Sequence, residues 1–442
     1  MPNTDPRSII NREPMGGFQI FAIFICVALN ALDGFDVLAI TFAAPGISKE
    51  WELGPGSLGI VISTGLVGMG LGSLLIAPLA DIIGRRPMIM WCLATMAGGM
   101  ALSATAHNVY ALAAWRVITG LGIGGMLAAT NAMTAEYAND QRRDLCVSLY
   151  TIGYPIGGVL GGLMAAWLLG RYDWRSVFLF GGVVSAVFLP IVWLRLPESI
   201  EFLALKRAPD ALQQINDILG RMGHRAADVL NVAVHKQGQL LDIFKSGLLP
   251  RTLIVCSAYF LQIMTFYYAL GWIPSIVAGL GYTAKVGASV SVWTNLGGIL
   301  GGTLLGYFAR HIGLKPLTVF VMIAAASMLA LFGRTSPELN TLKAVAFVLG
   351  FFLFGAMVGL YATLARVYPT HVRATGTGFA IGLGRIGGML GPAIGGWLMA
   401  LGVNRPNIAA TMAMGSFLAA MVMLMLPGSI VAVQRSAPNP QA

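Results

Sequence analysis

The sequence predicts an all-α membrane protein of twelve transmembrane helices in two six-helix, pseudo-symmetric halves. Three observations predict it. The 442 residues are 57% hydrophobic and only 10% charged, with a mean hydropathy of +0.76. A soluble domain carries about 25% charged residues, so this chain has too few charges to cover a water-facing surface. Twelve stretches reach the roughly 20 predominantly apolar residues that a spanning helix needs. Short motifs also recur in the same order at a nearly constant separation.

The twelve spans are expected at 18–44, 57–79, 88–106, 109–134, 146–170, 175–194, 252–280, 286–309, 316–333, 341–367, 374–401 and 406–432. The first is too long for the core of a signal peptide and should remain as a helix. These spans predict an N-terminal tail (1–17), a six-helix bundle (18–194), a linker (195–251), a second bundle (252–432) and a C-terminal tail (433–442). Periodic apolar residues in the linker predict short amphipathic helices lying at the membrane surface. The 56 glycines suit close helix–helix contact. The cysteines Cys26, Cys92, Cys146 and Cys256 are far apart and read as small apolar residues or free thiols.

The net charge of +10 is a topology signal rather than a nucleic-acid surface. With residues at the span ends (Arg175, Lys343 and Arg366) counted in the adjacent link, nineteen Lys and Arg residues fall in the tails and even-numbered links and seven in the odd-numbered links. The positive-inside bias therefore puts both termini and the linker in the cytoplasm.

Four motif matches mark the repeat between the two halves. Gly72-Ser-Leu-Leu recurs as Gly302-Thr-Leu-Leu, and Arg143 maps to Arg373. Gly157-Gly-Val-Leu-Gly161 recurs as Gly387-Gly-Met-Leu-Gly391, and Asp81-Ile-Ile-Gly84-Arg85 has a degraded copy at Arg310-His-Ile-Gly313-Leu314. Two parallel six-helix repeats are a transporter architecture.

Asp33 and Asp36 lie inside the first span, and Arg116 and Arg385 lie inside two others. A charge at mid-membrane costs about 2.5–3.5 kcal/mol on insertion scales, which suggests a function for each. At 1.5 Å per residue, Asp36 lies roughly 12 Å and Asp33 roughly 16 Å below the outer end of span 1, and Arg116 lies about 10 Å down span 4. An aspartate–arginine pair is therefore allowed. It can serve as a proton switch in which protonation of the carboxylate frees Arg116, or as a static tie between spans 1 and 4. Arg385 sits about 18 Å into span 11. It suits a carboxylate ligand, which guanidinium binds through two parallel hydrogen bonds, or a bond to backbone carbonyls near Gly384 and Gly387.

Span 7 carries Tyr259, Phe260, Phe266, Tyr267, Tyr268 and Trp272, with Gln262 among them. Rings suit stacking on an aromatic ligand, and also plain packing. Tyr267, Tyr268 and Trp272 are candidate ligand contacts, with Asn295 and Tyr361 beside them. Pro155 and Pro392 should bend spans 5 and 11.

These residues suggest a family. Ala77-Pro-Leu-Ala-Asp81-Ile-Ile-Gly84-Arg85-Arg86 resembles the loop signature G-x-x-x-D-x-x-G-R-[RK] of the major facilitator superfamily. Arg116-Val-Ile-Thr-Gly120-Leu-Gly122-Ile-Gly124 resembles its R-x-x-x-G-x-G-x-G motif. Asp33-Gly-Phe-Asp36 is similar to a signature of its aromatic acid:proton symporters. So are Ala135-Glu136-Tyr137 with Arg142-Arg143, Tyr368-Pro-Thr-His-Val-Arg373-Ala-Thr-Gly-Thr-Gly-Phe, and Gly382-Leu-Gly384-Arg385-Ile-Gly-Gly. The chain departs from the pattern at Ala77, at Arg310 (where an acid would stand) and at His371.

The resemblance implies a transporter and no enzyme. It would move a small aromatic carboxylate with a proton, in the bacterial inner membrane, as a monomer. It would need no metal, nucleic acid or cofactor beyond the proton gradient. The alternative is a transporter or exporter of another organic anion, such as a sugar acid or a drug-like acid. The resemblance also implies proton coupling at Asp33, Asp36 and Arg116, and a cytoplasmic gate of Asp81, Arg85, Arg86, Glu136, Arg142, Arg143 and Arg373. Asp81 could cap the start of span 3 or pair with a base.

Overall fold

The computed structural model describes residues 5–206, 210–230, 240–245, 247–369 and 372–427, and all regular structure among them is helical. In chain order the first elements are α1 (Pro6–Arg12), α2 (Gly17–Glu50), α3 (Pro55–Leu71), α4 (Ala80–Ile83), α5 (Arg85–Ala104), α6 (Val109–Tyr137), α7 (Arg143–Leu168) and α8 (Arg175–Arg195). They are followed by α9 (Ile200–Lys206), α10 (Ala211–Met222), α11 (Leu249–Gly279), α12 (Ala284–Ile312), α13 (Leu314–Arg334), α14 (Leu339–Val367), α15 (Arg373–Ala400) and α16 (Arg405–Leu424). His371 and the tail 433–442 lie outside the described residues.

Each expected span except the second corresponds to one long helix. Among the described residues ten segments are long and apolar enough to cross a membrane; the other two, α12 and α15, are 29 and 28 residues long. The second span is not uniform. A π-turn over Gly72–Ile76 and a 3-10 turn over Ala77–Leu79 join α3 to α4, whereas its repeat equivalent, α12, runs unbroken.

The described residues form two compact units, Met1–Ala43 with Thr64–Val234 and Ala44–Ser63 with His235–Ala442. In the first, α5 packs on α6 and α8; in the second, α13 packs on α14 and α16. The corner 44–63 belongs to the second unit, where Ser63 Oγ donates to the Met389 carbonyl at 2.7 Å.

The repeat is carried in three dimensions by glycines that let backbones touch. An added Cβ at Gly120 would stand 2.1 Å from the Gly65 carbonyl oxygen, and one at Gly350 would stand 1.8 Å from that of Thr294. Gly68 and Gly72 oppose Val117 and Leu121 as Gly297 and Gly301 oppose Phe347 and Phe351. Gly72 thus corresponds to Gly301 rather than to Gly302, because α12 is in register one residue earlier than the Gly-x-Leu-Leu match implies. Gly84 and Gly313 share a backbone turn (φ 106° and 96°, ψ 152° and 143°) that side-chain-bearing residues rarely adopt.

The helix ends repeat as well. Arg86 donates to the Trp193 carbonyl near the end of α8, and Lys315 donates to the Leu424 and Leu426 carbonyls (2.9 and 2.6 Å) at the end of α16. Arg175 reaches the Ala106 carbonyl at 3.5 Å, and Arg405 reaches that of Thr335 at 2.7 Å. Cations at these positions satisfy carbonyls that have no partner in their own helix.

The linker helices do not keep their apolar face for lipid. The stripe Ala211, Ile215, Ile218, Leu219 and Met222 of α10 is buried within the protein. Nearby, the Arg221 guanidinium lies 4.4 Å from the Phe18 ring. Gly16 sits where a Cβ would be 2.2 Å from the Met222 carbonyl oxygen. His224 Nδ1 is 2.8 Å from Glu13 Oε2, and its Nε2 is 3.0 Å from Gln19 Oε1. The chain entering α2 thus meets the C-terminal end of α10.

Gly120→Ala is expected to destabilise the protein by about 1–3 kcal/mol, because the Cβ meets backbone that cannot turn aside. Gly98→Ala, with nothing within 4 Å of the new atom, should be neutral. Thermal melting of the two purified variants in detergent tests this; equal melting temperatures would refute a backbone-contact role for Gly120.

Candidate functional site

Asp33 and Asp36 are both fully buried on α2. Between them, Gly34 lies where a Cβ would stand 2.1 Å from the Tyr154 carbonyl oxygen, so α2 and α7 touch at this level. Asp36 faces α8, with its Oδ2 3.5 Å from Ser185 Oγ. Asp33, one turn earlier, is within electrostatic reach of Cys92 on α5.

Arg116 is buried on α6 and is held from several sides. Its Nη2 donates to the backbone carbonyl of Asp36 at 2.7 Å, its Nη1 lies 3.2 Å from Met100 Sδ, and its guanidinium lies 5.6 Å from the Phe178 ring. Gly65 leaves room for it, since a Cβ there would be 3.2 Å from Nη2. The structure thus brings Arg116 to Asp36 but bonds it to the main chain rather than to the carboxylate. Depth arithmetic gives the level of a side chain and not which atom it meets.

In the second unit, Tyr259 (α11) and Tyr361 (α14) meet hydroxyl to hydroxyl at 3.1 Å, with ring centroids 5.8 Å apart. Tyr361 is 36% exposed, whereas Tyr259 is fully buried. Arg385 on α15 is half-buried and within electrostatic reach of Tyr259. It has contacts of its own and is not an unpaired cation. The Tyr259 ring occupies the space beside Gly384, where an added Cβ would be 2.2 Å from it.

The other aromatic candidates separate. Trp272 and Tyr268 are buried against α15: the Trp272 indole donates to the Pro392 carbonyl at 2.9 Å, and the Tyr268 ring fills the space beside Gly395. The missing side chains of α15 give both rings their places, which span 7 alone does not reveal. Tyr267 is buried edge-on to Phe266, which is edge-on to Phe354 at 4.9 Å. Asn295 is buried, with Nδ2 bonded to the Ser291 carbonyl at 2.9 Å and no hydrogen bond at Oδ1 among the described residues. Gln262 is buried with neither Nε2 nor Oε1 bonded among them. An unsatisfied buried polar group costs about 1–3 kcal/mol.

The loop cluster is compact. Arg85 pairs with Glu136, and its second amino group is 3.7 Å from Glu201. Glu136 accepts from Ser199 Oγ at 2.6 Å, and its backbone carbonyl accepts from Arg7 at 2.6 Å. Burial, and after it the nearby Arg143, lowers the Arg7 pKa below its ordinary value. Arg143 itself bonds Asp140 and Asn11 at 2.9 and 2.8 Å.

Asp81 is exposed, with no ion pair or hydrogen bond among the described residues, and it does not cap α5. Glu198 takes that role: its Oε1 accepts from the Arg85 and Arg86 amides at 2.9 and 3.1 Å. The carboxylate reaches the start of α5 from 113 residues away, which local spacing cannot show; the signal available was an acid in Leu196-Pro-Glu-Ser directly after span 6. Arg142 is exposed. In the second unit, Arg373 Nε lies 3.4 Å from the Tyr368 carbonyl oxygen.

The sequence profile described as Major Facilitator Superfamily matches residues 23–392. A gallate transporter of Pseudomonas putida is 29% identical over 425 residues, covering 95% of this chain and 94% of that protein. The 4-hydroxybenzoate transporter PcaK of the same organism is 28% identical over 421 residues, covering 94% of each. In fold, the chain is similar to the xylose transporter XylE from E. coli in a partially occluded inward-open conformation. The TM-score is 0.73 at 16% identity, with 95% of this chain and 100% of that one covered. With the family profile running through both repeats, the chain belongs to the Major Facilitator Superfamily and is a multi-pass membrane transporter.

Proposed function

We propose that the protein imports a small aromatic carboxylate together with a proton, by alternating access. The observation that carries this reading is the segregation of buried charge. Asp33, Asp36 and Arg116 are buried on the spans of the first unit, apart from the loop acid Glu136; half-buried Arg385 lies beside a tyrosine pair in the second. Asp36, next to an arginine anchored on the main chain, is the proton carrier, because its charge can change while the frame around it stays fixed. Asp33 assists it. Arg385 and Tyr361 receive the carboxylate, with Tyr267 and Asn295 as further candidates.

The full-length relatives that carry gallate and 4-hydroxybenzoate support an aromatic acid as the ligand. The Lys and Arg bias supports cytoplasmic termini, so the Arg85–Glu136–Ser199 cluster is the cytoplasmic gate, with Arg86, Arg142 and Arg143 around it and Asp81 and Arg373 engaged in other states. The protein sits in the bacterial inner membrane, works as a monomer, and uses the proton gradient with no cofactor.

Uptake of labelled aromatic acids into proteoliposomes, with and without an inward proton gradient, tests the reading. Accumulation should require the gradient, and indifference to it would refute symport. Asp36→Asn is expected to abolish gradient-driven accumulation; retained accumulation in both Asp33→Asn and Asp36→Asn would remove the proton role from this pair. Arg385→Lys should weaken uptake about tenfold or more, because one charge-assisted hydrogen bond is worth about 1.5–3 kcal/mol; unchanged uptake would count against carboxylate binding there. Glu136→Gln should slow transport while leaving substrate affinity within about threefold, corresponding to under 1 kcal/mol at the ligand. Turnover and equilibrium binding of the same preparation separate the two effects.

A further inference from the structure

We infer that Gln262 reads ring hydroxyl groups, so that the substrate class is hydroxylated aromatic carboxylates rather than aromatic carboxylates in general. The inference rests on the proposed carboxylate import and adds a selectivity residue to it. Gln262 is fully buried on α11, and neither atom of its amide has a hydrogen-bond partner among the described residues. Buried side-chain amides in folded proteins are ordinarily bonded, so an orphan at membrane depth requires an account.

Its place on the helix supplies one. Three residues earlier, about 4.5 Å along the axis, Tyr259 meets Tyr361 hydroxyl to hydroxyl at 3.1 Å, within electrostatic reach of Arg385. Four residues later, about 6 Å in the other direction, Phe266 packs edge-on to Phe354 with centroids 4.9 Å apart. The amide is therefore bracketed by a polar pair beside the guanidinium on one side and a ring wall on the other.

A carboxylate drawn to Arg385 puts its ring near this stretch of α11. A phenol hydroxyl both donates and accepts, and so does a carboxamide, so the two satisfy each other. An unsubstituted ring satisfies neither amide atom. Asn295 is less suited, since its Nδ2 is already bonded within its own helix.

The test compares full-length wild type with Gln262→Met in proteoliposomes. Unlabelled benzoate and 4-hydroxybenzoate compete for uptake of the same labelled aromatic acid. In Gln262→Met the ratio of their half-inhibitory concentrations is expected to move at least about tenfold toward benzoate, because a site built to bond a hydroxyl discriminates strongly against its absence. The melting temperature in detergent should not fall, since the substitution removes an unsatisfied amide. Gln262→Asn, which keeps the amide but shortens it, should give an intermediate ratio and serves if the methionine variant does not fold. A ratio unchanged in both variants would overturn the inference, as would both acids weakening in parallel with a lowered melting temperature. Failure of the wild type to take up any aromatic acid would overturn the import reading itself, and this inference with it.

Discussion

The glycine-lined crossing of α3 on α6, repeated as α12 on α14, is the constraint on which the rest of the structure depends. Lipid offers no hydrophobic drive for helix association, so close backbone contact has to supply the packing energy. Gly65 and Gly120 permit that contact in one half, and Gly297 and Gly350 permit it in the other. The crossing brings Arg116 into the first bundle one turn before Gly120 and leaves Gly65 as the space its guanidinium enters. On α14 the equivalent crossing sets the height of Phe354 and Tyr361.

On this common backbone the two halves carry different chemistry. Arg116 corresponds to Ala346, and Asp36 corresponds to Phe266, whose ring packs on Phe354. Arg385 corresponds to Pro155. The loop cluster is likewise one-sided, since Arg85 and Glu136 correspond to Leu314 and Arg366. What stays the same is structural: the paired turns at Gly84 and Gly313, and the basic caps Arg86 with Lys315 and Arg175 with Arg405. The two halves share the contacts that shape a bundle and differ at their charged and aromatic positions.

The loop end of the first unit is tied together by long-range polar contacts. Glu198 caps α5, Ser199 and Arg85 hold Glu136, and Tyr137 Oη donates to the Glu198 carbonyl at 2.6 Å. The segment before α2 joins through Arg7 and Glu13, and the first turn of α2 through Gln19, with His224 closing the link to the end of α10. A movement of α6 at this end would therefore be felt by α5, by the start of α2 and by the linker.

By itself the sequence determined the helical membrane class, the order of the spans, the repeat and the identity of the buried charges. Each depends on composition or periodicity, which are local. It also placed Asp36 and Arg116 at compatible depths. Only the tertiary structure decided that Arg116 bonds a carbonyl rather than a carboxylate, and that Glu198 rather than Asp81 caps α5. It likewise decided that Trp272 and Tyr268 lie against α15 while Tyr259 and Tyr361 meet hydroxyl to hydroxyl near Arg385. Those outcomes depend on the rotation of each helix about its axis and on contacts between residues more than a hundred positions apart. Rise per residue fixes neither, and packing against neighbouring helices fixes both.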